Sequence, residues 1–375
     1  MSSKKQKEAG AKGREEGHAY EQDVIESIDD ETSNDIAVIQ PEQMVESAVS
    51  ENGTTTNKSD IEVSCNKTGQ TVGISVKNPK KSRDSIQTQI VAKKNLLARL
   101  KEIKEASRCV RVFSNLFFGE VGQGKFKENC FKENCGKFGV DYDSLDPRWE
   151  QKRDRAYWDS IPLKYREAFL DYLNDSEVKK ETLETVIKKG VTTLPGSDIM
   201  LWCDSSVSGK GSLRHTVAFD IDKLVESICK HEWRPYYSKP KSYSYEEEGE
   251  KKEEKQKNGR WDVTVEKVKV TKVKVSYPED AQECTVLHLG PITLQMKGSG
   301  REKSPAAYHS MQFNTSLEAL RSHCESHCPE AMIHEGDVPG LARHIESNFK
   351  EKHPSPSKQR KSIDPSTCGP VPMLL

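Results

Sequence analysis

Apolar and polar residues alternate over two short stretches of this chain, Asp60 to Cys65 and Thr71 to Lys77. In the first, Ile61, Val63 and Cys65 interleave with Asp60, Glu62 and Ser64. In the second, Val72, Ile74 and Val76 interleave with Thr71, Gly73, Ser75 and Lys77. Side chains two apart on a strand share a face, so each stretch predicts a half-buried strand. The residues between them, Asn66 to Gly69, have turn chemistry. Together they predict a hairpin with one apolar side and one polar side, the latter able to gather Asp60, Glu62, Ser75 and Lys77.

Helical spacing marks other segments. Ala19, Val24, Ile25 and Ile28 predict a helix over 14–28, and Ile86, Ile90, Leu96, Leu97, Leu100 and Ile103 a long amphipathic helix over 83–106. Further helices are expected over 147–159, 162–174, 175–189 and 316–328, and one capped by Asp222 that runs to about residue 231. Residues 110–113, 198–203 and 216–221 read as strands. Valines alternating with charged residues over 261–277 predict a strand pair, and 284–296 and 308–313 supply two more strands. Residues 119–147 are Gly-rich and polar and read as a loop. Residues 1–14 and 351–375 read as disordered tails, and 238–260, dense in Lys and Glu, as a solvated insertion or linker. The organisation expected is a core over 15–237, that insertion, and a sheet region over 261–350 that completes the fold.

Composition narrows the class. With 375 residues the chain can form one large domain or two ordinary ones. A mean hydropathy of -0.79 and the lack of any long apolar run exclude a membrane-spanning helix. No apolar block opens the chain, so no secretory signal and an intracellular, cytoplasmic protein are expected. Reduced thiols are then the default for the ten cysteines. Cys130 with Cys135, and His323, Cys324, His327 and Cys328 with His334 nearby, have spacings that could hold a metal. The net charge is -1, so any nucleic-acid binding must come from local patches. The strongest patch follows the hairpin: between Lys77 and Arg111 eleven Lys/Arg face three Asp/Glu. Such a run suits a polyanion, or is the solvated face of a helix.

A carboxylate and a lysine on adjacent strands are what metal-dependent phosphodiester hydrolysis requires. The carboxylate holds a hard divalent cation. The lysine stabilises phosphate charge or lowers the pKa of the attacking water. An ordinary half-exposed hairpin would show the same alternation.

Ser59-Asp60 followed by Ser75-Val76-Lys77 resembles the catalytic hairpin of the PD-(D/E)XK nuclease superfamily, with Ser75 in the usual acidic slot. Gly17-His18-Ala19-Tyr20-Glu21 resembles the Gly-x-Ala-x-Glu helix of type II restriction endonucleases of the GGCC-cutting kind. Gly73 to Asn78 resembles that group's Gly-Leu-Ser-x-Lys-His strand, and Ile292 to Lys297 with Tyr308 to Asn314 resembles its C-terminal hairpin. The resemblance implies an α/β (α+β) fold with a mixed central sheet flanked by helices, and a Mg²⁺-dependent endonuclease acting on double-stranded DNA as a homodimer. It further implies metal binding by Asp60 and the Val76 carbonyl, with Glu21 or Glu62 as auxiliary carboxylate or water alone completing the set, and water activation by Lys77. Ser75 fills the acidic slot, and Gln87 is placed to reach the phosphate or the water. Phosphate contacts are then expected from Lys80, Lys81, Arg83, Lys93 and Lys94. Base reading is expected from Lys297, Arg301, Lys303, His309, Gln312 and Asn314. Two alternatives stay open: a non-catalytic DNA-binding protein on a degenerate nuclease fold, and a structure-specific repair nuclease.

Overall fold

The structure is a computed structural model that describes residues 19–39, 59–77, 85–118, 128–142, 156, 158–189, 196–203, 213–240, 242–245, 252–258, 261–268, 272–296 and 310–352. It is a mixed α+β fold with a mixed central sheet flanked by helices. Among the described residues no helix is long and apolar enough to cross a membrane.

The central sheet runs in the order β1 (Ile36–Ile39), β2 (Ile61–Cys65), β3 (Thr71–Lys77), β5 (Ile199–Cys203), β6 (Thr216–Asp220) and β15 (Met332–Gly336). The β2–β3 pair is the expected antiparallel hairpin, with Ile61 opposite Ile74 and Glu62 opposite Gly73. β3 then pairs with β5 in parallel, Ser75 beside Met200 and Lys77 beside Trp202. Both faces are covered, which explains why β5 is apolar throughout rather than alternating. One face packs Ile61, Val63, Ile74 and Leu201 against Tyr20, Val24 and Ile28 of helix α1 (19–29) and against the last helix, α9 (Val338–Lys352). The other packs Met200, Trp202, Val217 and Phe219 into the largest core.

Helices fill that larger core. They include α2 (Lys93–Leu100), α3 (Arg108–Phe118), α4 (Glu128–Lys137), α5 (Leu163–Asn174), α6 (Ser176–Leu183), continued by a π-turn over Glu184–Lys189, and α7 (Ile221–Ile228). Phe113 stacks on Phe169 at 4.3 Å and meets Trp158 edge-on at 5.1 Å. A second sheet closes the core from the far side, in the order β4 (Ser85–Ala92), β14 (Ser310–Ser316), β13 (Ile292–Met296), β12 (Glu283–Leu289) and β7 (Arg234–Ser238). Helix α8 (Leu317–His327) follows β14, with Ser316 accepting the Ala319 N–H as its cap. A third sheet, β8 (Tyr243–Tyr245), β11 (Lys272–Ser276), β10 (Trp261–Val268) and β9 (Lys252–Asn258), has its own small core of Val263, Val265, Val273 and Val275.

Several elements differ from expectation. Residues 83–106 are not one helix: β4 occupies Ser85–Ala92 and α2 begins at Lys93. Ile86 and Ile90 fit a helical spacing, yet the segment Ser-Ile-Gln-Thr-Gln-Ile-Val suits a pleated surface, and pairing with β14 decides it. Residues 110–113 lie in α3, because the apolar series continues at helical spacing through Leu116 and Phe117. Helix α7 is capped by Asp220, whose carboxylate accepts the Lys223 N–H, and Asp222 lies in its first turn. Of 147–159, the described part includes a 3-10 turn at Trp158–Ser160. The charged segment 238–260 contains β8 and β9. Both are edge strands, and β9 needs no apolar face because its exposed Glu253, Glu254 and Lys255 stay in solvent while its backbone pairs with β10.

Candidate active site on the β2–β3 hairpin

The segment leading into β2 is held in three places. Buried Ser59 donates to the Gly196 carbonyl at 3.0 Å and lies 3.3 Å from the Ser197 hydroxyl. The Asp60 N–H donates to the Ile74 carbonyl at 2.8 Å. Gly73 leaves the room this needs: a Cβ there would sit 2.3 Å from Ser59 Oγ and 2.7 Å from the Gly196 carbonyl. Asp198 fixes the other side of β3. Its N–H donates to the Gly73 carbonyl at 2.7 Å, and its carboxylate accepts the Gly73 N–H at 2.9 Å. Burial pushes the Asp198 carboxyl above the usual carboxylate range, against the Gly73 N–H, which lowers it.

This framework brings Asp60, Ser75, Val76 and Lys77 together. Asp60 Oδ2 accepts the Val76 N–H at 2.6 Å and the Ser75 hydroxyl at 3.2 Å. Lys77 donates to Ser75 Oγ at 2.5 Å and stands 3.8 Å from Asp60 Oδ2. Ser75 is fully buried, whereas the Asp60 and Lys77 side chains are 28% and 15% exposed. The two charged groups therefore reach solvent over a buried hydroxyl that links them. A carboxylate and a backbone carbonyl are oxygen donors of the kind a hard cation takes. A lysine held beside that carboxylate keeps its positive charge near any bound phosphate.

The remaining sequence candidates divide. Glu62 is half-buried on β2, two residues or about 7 Å along the strand from Asp60. Glu21 is half-buried on α1, whose neighbouring Tyr20 packs on the Ile61–Ile74 side of the sheet. Ser75, beside Met200, belongs to the opposite side. Gln87 lies on β4 opposite Asn314, not on a helix. Gln312 and Asn314 lie on β14 and line a groove of about 470 Å³ with Tyr236, His288, Thr293 and Gln295. The Gln312 amide donates to Asn314 Oδ1 at 2.9 Å, and Tyr236 stacks on His288 at 4.3 Å. Lys80, Lys81, Arg83, Lys297, Arg301, Lys303 and His309 lie outside the described residues, and of Lys94 only the backbone, in the first turn of α2, is described.

Lys93 requires a correction. It is 4% exposed, and its ammonium donates to Asn115 Oδ1 at 2.7 Å and to the Ser114 carbonyl at 3.4 Å. A buried ammonium with inward partners cannot also contact a phosphate. Other members of the basic run are also engaged within the chain: Arg99 with Glu181, Lys104 with Asp175, and Arg111 with Glu105. Counting charges along the chain could not show this, because Glu181 and Asp175 come from α6 and its cap.

Sequence reasoning passed over Ser59 as a group in its own right, and over Asp198. The signal was weak: Asp198 opens an apolar strand in the same way as many structural aspartates. No protein-family model matches the chain, and no curated protein matches it.

Proposed function

We propose that this protein is a Mg²⁺-dependent endonuclease that hydrolyses phosphodiester bonds of double-stranded DNA, with the architecture and site of a type II restriction enzyme. The observation that carries the reading is the Asp60–Ser75–Lys77 cluster, in which Lys77 lies 3.8 Å from the Asp60 carboxylate on the neighbouring strand. The mixed sheet with a β2–β3 hairpin continued in parallel by β5 agrees with it.

Asp60 and the Val76 carbonyl would hold Mg²⁺, with Glu62, on the same side of β2 as Asp60, completing the oxygen set; Glu21, on the helix that packs against the other side of the sheet, would not reach it. The ion would polarise the scissile phosphate and sharpen the acidity of a bound water. Lys77, held beside Asp60, would orient the attacking water and offset the negative charge of the scissile phosphate. Ser75 holds the Lys77 ammonium toward Asp60, a positioning role that an acidic residue would fill by charge. The groove on the second sheet offers amide side chains from Gln295, Gln312 and Asn314 with an aromatic pair beside them. Such groups suit base edges, and β4 of the same sheet starts eight residues after Lys77. A palindromic target would call for a two-fold dimer.

Plasmid cleavage with and without Mg²⁺ tests the proposal. Asp60→Ala and Lys77→Ala should each abolish cleavage and leave DNA binding within about tenfold, or ~1.4 kcal/mol. Near wild-type cleavage by either variant removes the site assignment. Ser75 in the acidic slot favours one second reading, a DNA-binding protein without catalysis. Binding with no cleavage under any divalent cation would establish it.

A further inference from the structure

Three histidines converge far from the hairpin in sequence. His323 and His327 lie one helical turn apart on the same side of α8. His231 comes from the turn between α7 and β7. Their ligand atoms all lie within 4.8 Å of one another, and the ring centroids are 4.8–5.2 Å apart. The cluster differs from the one that spacing alone suggests. Cys324 and Cys328 turn into the large core, and His334 bonds the Asp337 carbonyl elsewhere.

We propose that His231, His323 and His327 form a binding site for a transition-metal ion of the Zn²⁺ class, distinct from the site of the hairpin carboxylate. Imidazole nitrogens select Zn²⁺ and its neighbours, whereas Mg²⁺ takes oxygen. Zn–N bonds of about 2.0–2.1 Å require each nitrogen to move inward by less than about 1 Å, which side-chain rotation supplies.

The surroundings are built to hold the rings. His323 is buried, and its Nε2 lies 3.0 Å from Ser227 Oγ on α7. That contact leaves Nδ1 to ligate and supplies the orienting partner that metal-bound histidines use. The His231 N–H donates to the Ile228 carbonyl at 3.0 Å, and its own carbonyl accepts from buried Lys179 at 2.6 Å. Gly290, in the β12–β13 turn at φ +52°, closes over the cluster. A Cβ there would stand 3.3 Å from His231 Cδ2 and 3.7 Å from His323 Nδ1. His327 is exposed, which leaves the fourth position open to water.

A metal here would pin α8 to the α7–β7 junction beneath the β12–β13 turn. It would thus stiffen the second sheet, and binding energy would add to folding energy.

The test uses full-length protein without a histidine tag. Zn²⁺ content is measured by elemental analysis, and Co²⁺ is titrated while its visible d–d bands are followed. The expected result is one ion per chain, a four-coordinate Co²⁺ spectrum, and a melting temperature that rises with Zn²⁺ and falls with chelator. His327→Ala, at an exposed position, should stay folded and lose the stoichiometric ion. Ser227→Ala should weaken affinity about 10–100-fold. His344→Ala, outside the cluster, should change nothing. The site is refuted if the wild-type protein takes up no metal, or if His231→Gln and His327→Ala both keep the same spectrum.

Discussion

At the scale of single residues, the site depends on groups with no chemistry of their own. Gly73→Ala would drive a Cβ to 2.3 Å from Ser59 Oγ and 2.7 Å from a backbone carbonyl. The serine can turn away, but the carbonyl moves only with the chain. Overpacking of this kind costs about 1–3 kcal/mol. It would also displace Asp60, so cleavage should fall more than stability; urea melts beside single-turnover cleavage would measure both. Asp198 gives a test by pH. Its half-buried carboxyl has a raised pKa even with Lys188 4.0 Å away, so the fold prefers the protonated form, and ionisation weakens the fold at neutral pH. That penalty vanishes as pH falls below the unfolded carboxylate value of about 3.9. Asp198→Asn can still accept the Gly73 N–H. It should therefore be the more stable protein at pH 7, with the gap closing toward pH 3. A gap that is constant with pH would mean the carboxylate is not the source. Lys93→Ala should cost about 1–3 kcal/mol, by leaving Asn115 without its partner. It should leave the salt dependence of DNA binding unchanged, since a phosphate contact would contribute about one unit of slope.

At the scale of elements, periodicity failed where two periods coincide or where pairing supplies what side chains lack. Ile86 and Ile90 share one side of a helix and also one side of a strand, so β4 was open to either reading until β14 claimed it. β9 has almost nothing apolar, yet it guards an edge of β10. Deleting 252–258 should expose the β10 backbone beside buried Val263 and Val265 and yield aggregating protein. Replacing the same strand with a Thr-rich sequence should keep it soluble. Light scattering on the two variants separates backbone pairing from side-chain identity; equal solubility would show that β9 is dispensable.

At the scale of the whole molecule, the chain is interleaved. β4, from the first third, pairs in the second sheet, and β15, from the last, pairs with β6 in the central one. Helix α9 adds Val338, Leu341, Ile345 and Phe349 to the core behind the β2–β3 hairpin. Each such side chain contributes roughly 1.5–3 kcal/mol when buried. Their sum rivals the ~5–15 kcal/mol stability of an ordinary domain. A chain ending at residue 328 should thus fail to fold, and limited proteolysis should release no stable fragment ending near 237. Recovery of a soluble, cooperatively melting 1–328 protein would contradict this.

Local pattern was enough for the hairpin. Alternation placed Ile61, Val63, Ile74 and Val76 on strands, and the short spacing left Asp60 and Lys77 no choice but proximity. Helices α5 to α8 and the strands β5, β6, β10 and β11 were legible for the same reason, as each carries its period over enough residues, whereas 284–296, read as one strand, is the hairpin β12–β13, turned at Gly290. What only the tertiary structure decided came from long-range pairing. It set β4 as a strand, Asp198 as the brace of β3, Lys93 as a buried lysine and His231 as the third member of a histidine cluster. In each case the deciding partner lies more than twenty residues away or in another layer, where no spacing along the chain can point to it.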